Sequence, residues 1–264
     1  MSICIKIVTI NTWKCEGDYF QRRRVLARQL QALDAQVIVC QECFRTGDGT
    51  TDTLRFLSEA LGMEAHFVES RFKQRSFGTQ HVPSYSGLGI LSAFPVARQT
   101  ILELPSSEED GGRWAQLMTL QPKAGTTLLL ANVHLTHIRH ATQLRAAQLK
   151  CVLTNVLQSN ASCKMVLGDF NDESGSSTLG LLSAFARAED CYVLGGGAEP
   201  RTSLLEAFHR QTPLCVDHLF VLPLNGAGTY PACTMARMVL NSPDEGSGLY
   251  PSDHFGVCVT LIMD

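Results

Sequence analysis

Residues 164–171 read Lys-Met-Val-Leu-Gly-Asp-Phe-Asn, a short apolar run that leads into an aspartate and an asparagine two residues apart. Short apolar runs bounded by turn residues are typical of buried strands. The polar side chains that follow, Asp169 and Asn171, are costly to bury in an apolar core. The stretch therefore predicts a buried strand that delivers functional groups at its end.

Five other apolar runs in the chain have polar side chains of the same kinds at one end. These residues are Asn11, Glu42, Asn132, His134, Asp217, His218, Asp253 and His254. Strand ends that face the same way bring such groups together at one rim of a sheet. Hard oxygen ligands bind Mg²⁺ or Mn²⁺, and such an ion offsets the negative charge of a phosphate. The pattern predicts a metal-assisted phosphoester site.

The hydrophobic pattern predicts an irregular alternation of strands and helices, with several consecutive strands in the middle of the chain. Strands are predicted over 3–10, 36–41, 87–92, 98–104, 114–120, 127–133, 164–167, 216–222 and 256–263, and helices over 18–33, 53–61, 142–157 and 179–185. This order favours an α+β fold, a sandwich of two mixed sheets flanked by helices. No linker divides the chain, so we expect a single domain over residues 1–264.

Two polar segments are predicted to lie at the surface. Residues 71–86 have few apolar anchors and are predicted to form a long surface loop, the kind of segment that often binds ligands. The triplet Arg22-Arg23-Arg24 is interpreted as a solvated helix face in preference to the alternative, a phosphate-binding patch.

Composition limits the classes of protein. Hydrophobic residues make up 45% of the chain and charged residues 18%, which excludes a disordered protein. A net charge of −3 excludes a strongly basic footprint over the whole chain. No apolar run is long enough to span a membrane and no secretory signal is recognisable, so a cytoplasmic location is expected. The ten cysteines are expected to be reduced, and the Cys40-x-x-Cys43 pair lacks the second pair that a zinc site needs.

The chain resembles the endonuclease/exonuclease/phosphatase superfamily over nearly its whole length. The matching motifs occur in the family's order: Thr-Ile-Asn11-Thr-Trp, Val-Cys-Gln-Glu42, Ser-Gly-Leu-Gly-Ile-Leu-Ser at 86–92, Ala-Asn-Val-His134-Leu, Gly-Asp169-Phe-Asn171, Val-Asp217-His and Ser252-Asp253-His254-Phe. Pancreatic deoxyribonuclease, AP endonucleases, CCR4-type deadenylases and neutral sphingomyelinases are similar in this respect. The resemblance implies a deoxyribonuclease I-like fold, a four-layer α/β/β/α sandwich.

The resemblance also implies a metal site. Glu42 matches the family's metal-binding glutamate, and Asn11 matches the asparagine that supports or joins this site. Asp253 is expected to be a second ligand or an orienting group. The implied cofactor is Mg²⁺ or Mn²⁺, and the number of ions is left open.

The remaining motif residues are implied to act on the phosphate. Asp169 matches the aspartate that positions or activates the attacking water, and Asn171 matches a neighbour that contacts the phosphate. His254 matches the histidine beside the scissile phosphate, and Asp217 is expected to orient it and favour its protonated form. His134 matches a second donor that stabilises the charge of the transition state.

Further residues are predicted to contact the substrate on weaker grounds. Arg113 precedes a strand and is expected either to meet phosphate or to form a surface salt bridge. Tyr85 is expected to line the cleft. His137 and His140 follow His134 at three-residue steps and are expected to contact substrate or to have no role. His218 is expected to face the other side of its strand and to pack or make a surface contact.

Three functions fit the sequence. The first, which the resemblance favours, is a phosphodiesterase acting by in-line attack of an activated water on a nuclease-like substrate. The second is a phosphoesterase acting on a small or lipid substrate, as sphingomyelinases and inositol phosphatases do. The third, a non-catalytic phosphate-binding module, is disfavoured because every motif carboxylate and the final histidine are present. The expected partner is a phosphoester, with nucleic acid as one candidate, and neither a membrane anchor nor a protein partner is predicted.

Overall fold

A computed structural model describes residues 2–224 and 228–263. The strands are β1 (Ile3–Asn11), β2 (Val37–Thr46), β3 (Glu64–Phe77), β4 (Gln80–Ser92), β5 (Val96–Leu104), β6 (Arg113–Lys123), β7 (Thr126–His134), β8 (Cys163–Asp169), β9 (Glu189–Asp190), β10 (Asp217–Val221), β11 (Ala232–Val239) and β12 (Gly256–Met263). The helices are α1 (Tyr19–Leu33), α2 (Thr53–Leu61), α3 (Thr142–Leu157), α4 (Ser177–Ala186), α5 (Cys191–Leu194) and α6 (Leu205–His209).

The strands form two mixed sheets of six strands each in the described residues. One sheet has the order β11-β12-β1-β2-β4-β3, and the other has the order β5-β6-β7-β8-β10-β9. Buried side chains of both sheets meet in one cluster, which includes Ile7, Val39, Leu130 and Leu167. Helices α1 and α2 cover the outer face of the first sheet, and α3 and α4 cover that of the second. The predicted α/β/β/α sandwich is confirmed.

Local signals explain where the first two helices begin and end. The side chain of Asp18 accepts a hydrogen bond from the backbone N–H of Gln21 and caps α1. Asp52 caps α2 in the same way, and α2 ends at Gly62, whose φ of 66° suits glycine. The predicted helices over 18–33 and 53–61 are therefore confirmed.

The strand directions bring the motif residues to one rim of the sandwich. Strand β1 pairs in parallel with β2, and β7 pairs in parallel with β8. The hydrogen bond between Asn11, at the end of β1, and Asp169, at the end of β8, shows that the carboxyl ends of both pairs meet. Strands β10 and β12 run antiparallel to β8 and β1, so their amino ends meet the same rim. In this register Asp169 lies beside both His134 and Asp217.

The prediction of a surface loop over residues 71–86 is wrong. This segment is most of a long hairpin in which β3 pairs antiparallel with β4 around a turn at Gly78, whose φ is 62°. The outer half of the hairpin is mostly exposed on both faces. It therefore lacks the apolar alternation by which a half-buried strand is recognised.

The prediction of a solvated face for the arginine triplet is wrong for Arg22, which is only 3% exposed. Its guanidinium donates to the carbonyl oxygens of Glu16, Trp13 and Pro251. Buried carbonyl groups need donors, and Arg22 supplies them to the loop that follows β1. Arg24, two residues further along α1, is exposed as expected.

The sequence predicts neither disulfides among the cysteines nor a membrane span among the helices. All ten cysteines are free, and Cys40 and Cys43 are buried in the apolar cluster beneath α1 and α2. Among the described residues, no helix is both long and apolar enough to cross a bilayer.

Candidate active site

A cleft of 720 Å³ opens at the rim where the motif residues meet. Of the residues predicted to act, those that line it are Asn11, Glu42, Arg113, His134, His137, Asp169, Asn171, Asp253 and His254. Asp217 lies directly behind His254, to which it is hydrogen-bonded. Tyr85 is not among the lining residues.

Asp169 lies at the floor of the cleft and is only 1% exposed. Its Oδ2 accepts a hydrogen bond from Asn11 Nδ2 at 3.0 Å, and its Oδ1 accepts one from the backbone N–H of Asn171 at 2.8 Å. Burial, followed by the negative charge of Asp217, raises the pKa of Asp169 to about 7. A carboxylate with a pKa near neutrality is suited to accept a proton at physiological pH.

The backbone before Asp169 requires glycine. Gly168 has a φ of 136°, and a Cβ built on it would lie 2.1 Å from the carbonyl oxygen of Val133. Strand β8 can therefore approach β7 closely only without a side chain at this position. Asn171 also has a positive φ, 50°, and its Nδ2 donates to the carbonyl oxygen of Leu135 at 2.9 Å.

His254 and Asp217 form a buried pair. Their Nδ1 and Oδ2 atoms are 2.8 Å apart, and Asp217 is fully buried. Burial lowers the pKa of His254, but the charge and hydrogen bond of Asp217, together with the charges of Asp169 and Asp253, more than offset this, and the net pKa rises to about 10. The predicted partnership is thus present, and it favours a protonated imidazole.

Two serines hold this pair in place: Ser252, which belongs to the last motif, and Ser203, which the sequence did not single out. Ser203 Oγ accepts hydrogen bonds from the backbone N–H groups of Val216 and Asp217. Ser252 Oγ donates to the carbonyl oxygen of Asn11 at 2.6 Å and accepts from the N–H of His254. Serine is common in loops, so Ser203 carried no signal of its role in the sequence.

Glu42 is placed in the cleft by a bulge in β2. The register against β4 shifts between Cys40 and Cys43, and Glu42 has a φ of 54°. Left-handed backbone is strained for a residue with a side chain and is concentrated at functional sites. The Nζ of Lys14 lies 2.6 Å from Glu42 Oε1. No sequence pattern or motif pointed to Lys14.

His134 lies between the two carboxylates. Its Nε2 is 3.5 Å from Asp169 Oδ2 and 4.0 Å from Glu42 Oε1. Burial, followed by the positive charge of Arg113, lowers the pKa of His134 well below its usual range. His134 is therefore a neutral imidazole, in contrast to His254.

The acidic residues of the cleft fit a metal ion. Ligand atoms of Asp169, Asp217 and His254 all lie within 4.8 Å of one another, as in a metal cluster. A protonated His254 that is bonded to Asp217 has no free nitrogen lone pair for an ion, however. The carboxylates of Glu42 and Asp253 are better suited. Burial raises the pKa of Asp253, and the charge of Glu42 raises it further, a repulsion that a cation would relieve.

Arg113 forms a buried network and not a surface salt bridge. Its guanidinium bonds to Asp110 Oδ1 at 3.0 Å through Nε, to the carbonyl oxygen of His134, and to His137 Nδ1 at 2.8 Å. Asp110 is fully buried and also accepts from Thr136 Oγ1 at 2.8 Å. Sequence reasoning missed Asp110, because it lies in a polar loop that carries no strand or motif signal.

The remaining predicted residues lie elsewhere. Tyr85 pairs with Phe72 across the hairpin, their ring centroids 4.9 Å apart, on the face opposite Arg71. His140 is exposed and does not line the cleft. His218 is 1% exposed and contacts Arg201 Nη2 and the carbonyl oxygen of Asp172, in agreement with a packing role.

Comparison with known proteins agrees with this arrangement. The model of the Endonuclease/Exonuclease/phosphatase family matches residues 8–254. This chain therefore belongs to that family, whose members are generally phosphoester hydrolases. A search of curated proteins gave no match.

Solved structures share the fold at low sequence identity. A family protein from Bacteroides thetaiotaomicron is 17% identical, with a TM-score of 0.76 over 100% of this chain and 99% of that one. A functionally unknown conserved protein from Enterococcus faecalis V583 is 20% identical, with a TM-score of 0.74 over 97% and 99%. Truncated TDP2 from Caenorhabditis elegans is 14% identical, with a TM-score of 0.70 over 98% of both chains.

Proposed function

We propose that this protein is a phosphodiesterase that requires Mg²⁺ or Mn²⁺ and hydrolyses its substrate by in-line attack of water. The proposal rests on one observation: a proton acceptor and a protonated hydrogen-bond donor face the same cleft. Asp169, with its pKa raised to about 7, faces the same space as His254, which Asp217 holds in its protonated form. A base and a cationic donor at one phosphate are what the reaction needs.

In this proposal Asp169 acts on the attacking water and His254 acts on the phosphate. Asp169 orients the attacking water and accepts its proton, while Asn11 and the backbone of Asn171 hold the carboxylate still. The new bond from the water oxygen to phosphorus forms as the opposite bond to the leaving oxygen breaks. His254 uses Nδ1 to bind Asp217, so its Nε2–H is available to the phosphoryl oxygens, whose charge grows in the transition state.

The negative charge of the phosphate would be stabilised by His134 and by a bound metal ion. His134, a neutral imidazole beside Asp169, donates a hydrogen bond to the phosphate. Glu42 and Asp253, supported by Asn11, would hold the metal ion. When bound, the ion supplies Lewis acidity that lowers the charge on the phosphate and on the leaving oxygen. Lys14, now 2.6 Å from Glu42, would have to move away from that carboxylate.

The test is hydrolysis of bis-p-nitrophenyl phosphate by the purified protein with Mg²⁺ or Mn²⁺. We expect turnover that is absent in EDTA and is restored when the metal is added back. p-Nitrophenyl phosphate, a monoester, serves as the matched substrate, and we expect it to react more slowly. Turnover in EDTA would refute the metal requirement, and a preference for the monoester would refute diester specificity.

A further inference from the structure

Strand β3 places a row of three cations along one wall of the cleft. Arg71, Lys73 and Arg75 occupy alternate positions, so their side chains lie on the same face of the strand. All three line the cleft that contains Asp169 and His254. We call these three residues the cation row. The net charge of −3 gives no sign of the row, because acidic residues, including Glu16 and Glu42 on the same cleft, outnumber basic ones over the chain.

The cation row has no acidic partner of its own. In residues 2–224 and 228–263, no carboxylate oxygen forms an ion pair with any of the three. Arg75 donates instead to the carbonyl oxygens of Ser84 and Arg71. By contrast, Arg113 on the same cleft is bonded to Asp110.

The three cations are close enough to repel one another. The charge of Arg71 is the largest cause that lowers the pKa of Lys73, and that of Arg75 acts in the same direction. Burial, followed by the charge of Arg113, lowers the pKa of Arg71. The charges of Asp110 and Glu42 act in the opposite direction on Arg71. The charges that act most on Lys73 are all positive, so a polyanion would gain favourable interactions along the row.

The length of the row indicates the shape of its ligand. Alternate residues of a strand are about 6.6 Å apart, so the row extends over about 13 Å. One phosphate cannot contact all three side chains, whereas successive phosphates of an extended chain can. Trp13 and Trp114 also line the cleft, and aromatic rings beside a cationic groove are typical of sites that bind unpaired bases.

A membrane surface fits the same residues less well. Binding to anionic lipid requires cations and exposed apolar side chains on one surface. Phe72 is 57% exposed, but it alternates with Arg71 and Lys73 and lies with Tyr85 on the opposite face of the hairpin. The cations face into the cleft, where a flat bilayer does not reach them.

We propose that the cation row binds the phosphate backbone of a single-stranded nucleic acid and so makes such a strand the substrate of this cleft. The inference rests on the proposed function only for the position of the scissile phosphate. Binding by the row itself is independent of hydrolysis and can be measured without it.

The experiment is fluorescence anisotropy with a labelled 12-nucleotide single strand in EDTA, at a series of KCl concentrations. The variants are Lys73→Gln and the double variant Arg71→Gln/Lys73→Gln. We expect the slope of log affinity against log salt to fall by about 0.7 for the first and about 1.4 for the second, one phosphate contact per cation. The control, Arg24→Gln/Arg98→Gln, removes the same charge from exposed positions outside the cleft and should keep the wild-type slope.

Several results would overturn the inference. Equal slopes for the wild type and both row variants would show that the row does not contact phosphates. Equally tight binding of the matching duplex would refute the preference for single strands. Tighter binding to vesicles that contain phosphatidylinositol bisphosphate, lost in the double variant, would assign the row to lipid.

The binding and hydrolysis experiments test the two proposals independently, so either proposal can be refuted without the other. If bis-p-nitrophenyl phosphate is hydrolysed by the wild type but the slopes are equal, the inference fails and the proposed function stands. If the slopes differ as expected but no diester is hydrolysed, the proposed function fails and the strand-binding site stands. Thermal unfolding of each variant verifies that it is folded, and Lys73→Gln alters an exposed side chain that has no hydrogen bond in the described residues.

Discussion

The floor and the wall of the cleft differ in burial and in the hydrogen bonding of their side chains. At the floor, Asn11, Asp169, Asp217 and His254 are buried and are joined by hydrogen bonds of 2.8–3.0 Å. On the wall, Arg71 and Lys73 project from a hairpin that is largely exposed. The floor holds a few groups at defined distances from the reacting atoms, as catalysis requires. The wall presents positive charge to a ligand, and binding by charge requires less precise geometry than catalysis.

This contrast predicts where the protein tolerates change. Substitutions at the floor should remove activity or stability, because each group there has buried partners that would be left unsatisfied. Substitutions on the wall should alter binding and its dependence on salt while leaving the fold intact.

The largest effect is expected from His254→Ala. Loss of the protonated imidazole beside the phosphate should lower turnover of bis-p-nitrophenyl phosphate by about 10³-fold. His140→Ala, which removes an exposed imidazole outside the cleft, should leave turnover unchanged. Turnover within tenfold of the wild type in the His254 variant would show that the floor is not the catalytic centre.

The next effect concerns the glycine beneath the floor. Gly168→Ala should lower the free energy of unfolding by about 4 kcal/mol, because the new Cβ would overlap the carbonyl oxygen of Val133. Gly125→Ala is the matched control: its φ is also positive, at 76°, but no atom of the described residues lies within 4 Å of the added Cβ. That variant should lose only about 1 kcal/mol. Equal losses in urea unfolding would show that backbone strain, and not the close approach of β7 and β8, decides this position.

The arginine triplet offers a comparison within one helix. Arg22→Met should lower the free energy of unfolding by about 3 kcal/mol, because it leaves the buried carbonyl group of Pro251 and the partly buried one of Glu16 without their donor. Arg24→Met, at an exposed position of the same helix, should have almost no effect. Similar stabilities of the two variants would mean that the loop finds water in place of the guanidinium.

The pair of Asp217 and His254 should make stability depend on pH in the metal-free protein. The pKa of His254 is raised to about 10 in the folded state from an ordinary 6.5, so the stabilisation is complete below pH 6.5. It is lost as the pH rises through 10. The difference in unfolding free energy between the wild type and Asp217→Asn should therefore be largest near pH 6 and shrink toward pH 10. A constant difference in urea unfolding over this range would contradict a charged pair.

The smallest effect is expected on the wall. Arg71→Gln/Lys73→Gln should change the free energy of unfolding by no more than about 0.5 kcal/mol, because within the described residues neither side chain has a hydrogen bond or an ion pair. A gain in stability would agree with relief of their mutual repulsion. A decrease in the free energy of unfolding as large as that of Arg22→Met would show that the wall side chains stabilise the fold, contrary to the contrast between floor and wall.

Much of the floor could be predicted from the sequence because its residues follow buried strands. Asp169 and Asn171 come at the end of an apolar run, and strand direction alone brings them to one rim with Asn11 and His134. The order of the motifs supplied the partnership of His254 with Asp217, which the structure places 2.8 Å apart.

The wall could not be predicted in the same way. A strand that is exposed on both faces has no apolar alternation, so residues 71–86 resembled a loop. The side of the hairpin on which Tyr85 lies depends on its register with Phe72, which the local pattern leaves open. Arg22 and Asp110 were missed because their burial depends on segments distant in sequence, which carry Pro251 beside Arg22 and Thr136 beside Asp110.

The sequence by itself determined which polar groups end the apolar strands, and hence the fold and the chemistry of the cleft floor. Apolar periodicity is local, so it can be recognised without knowledge of the other elements. Only the tertiary structure decided that the hairpin turns its cations toward Asp169 and His254. That decision depends on strand register and on packing between distant segments, and these are set when the two sheets come together.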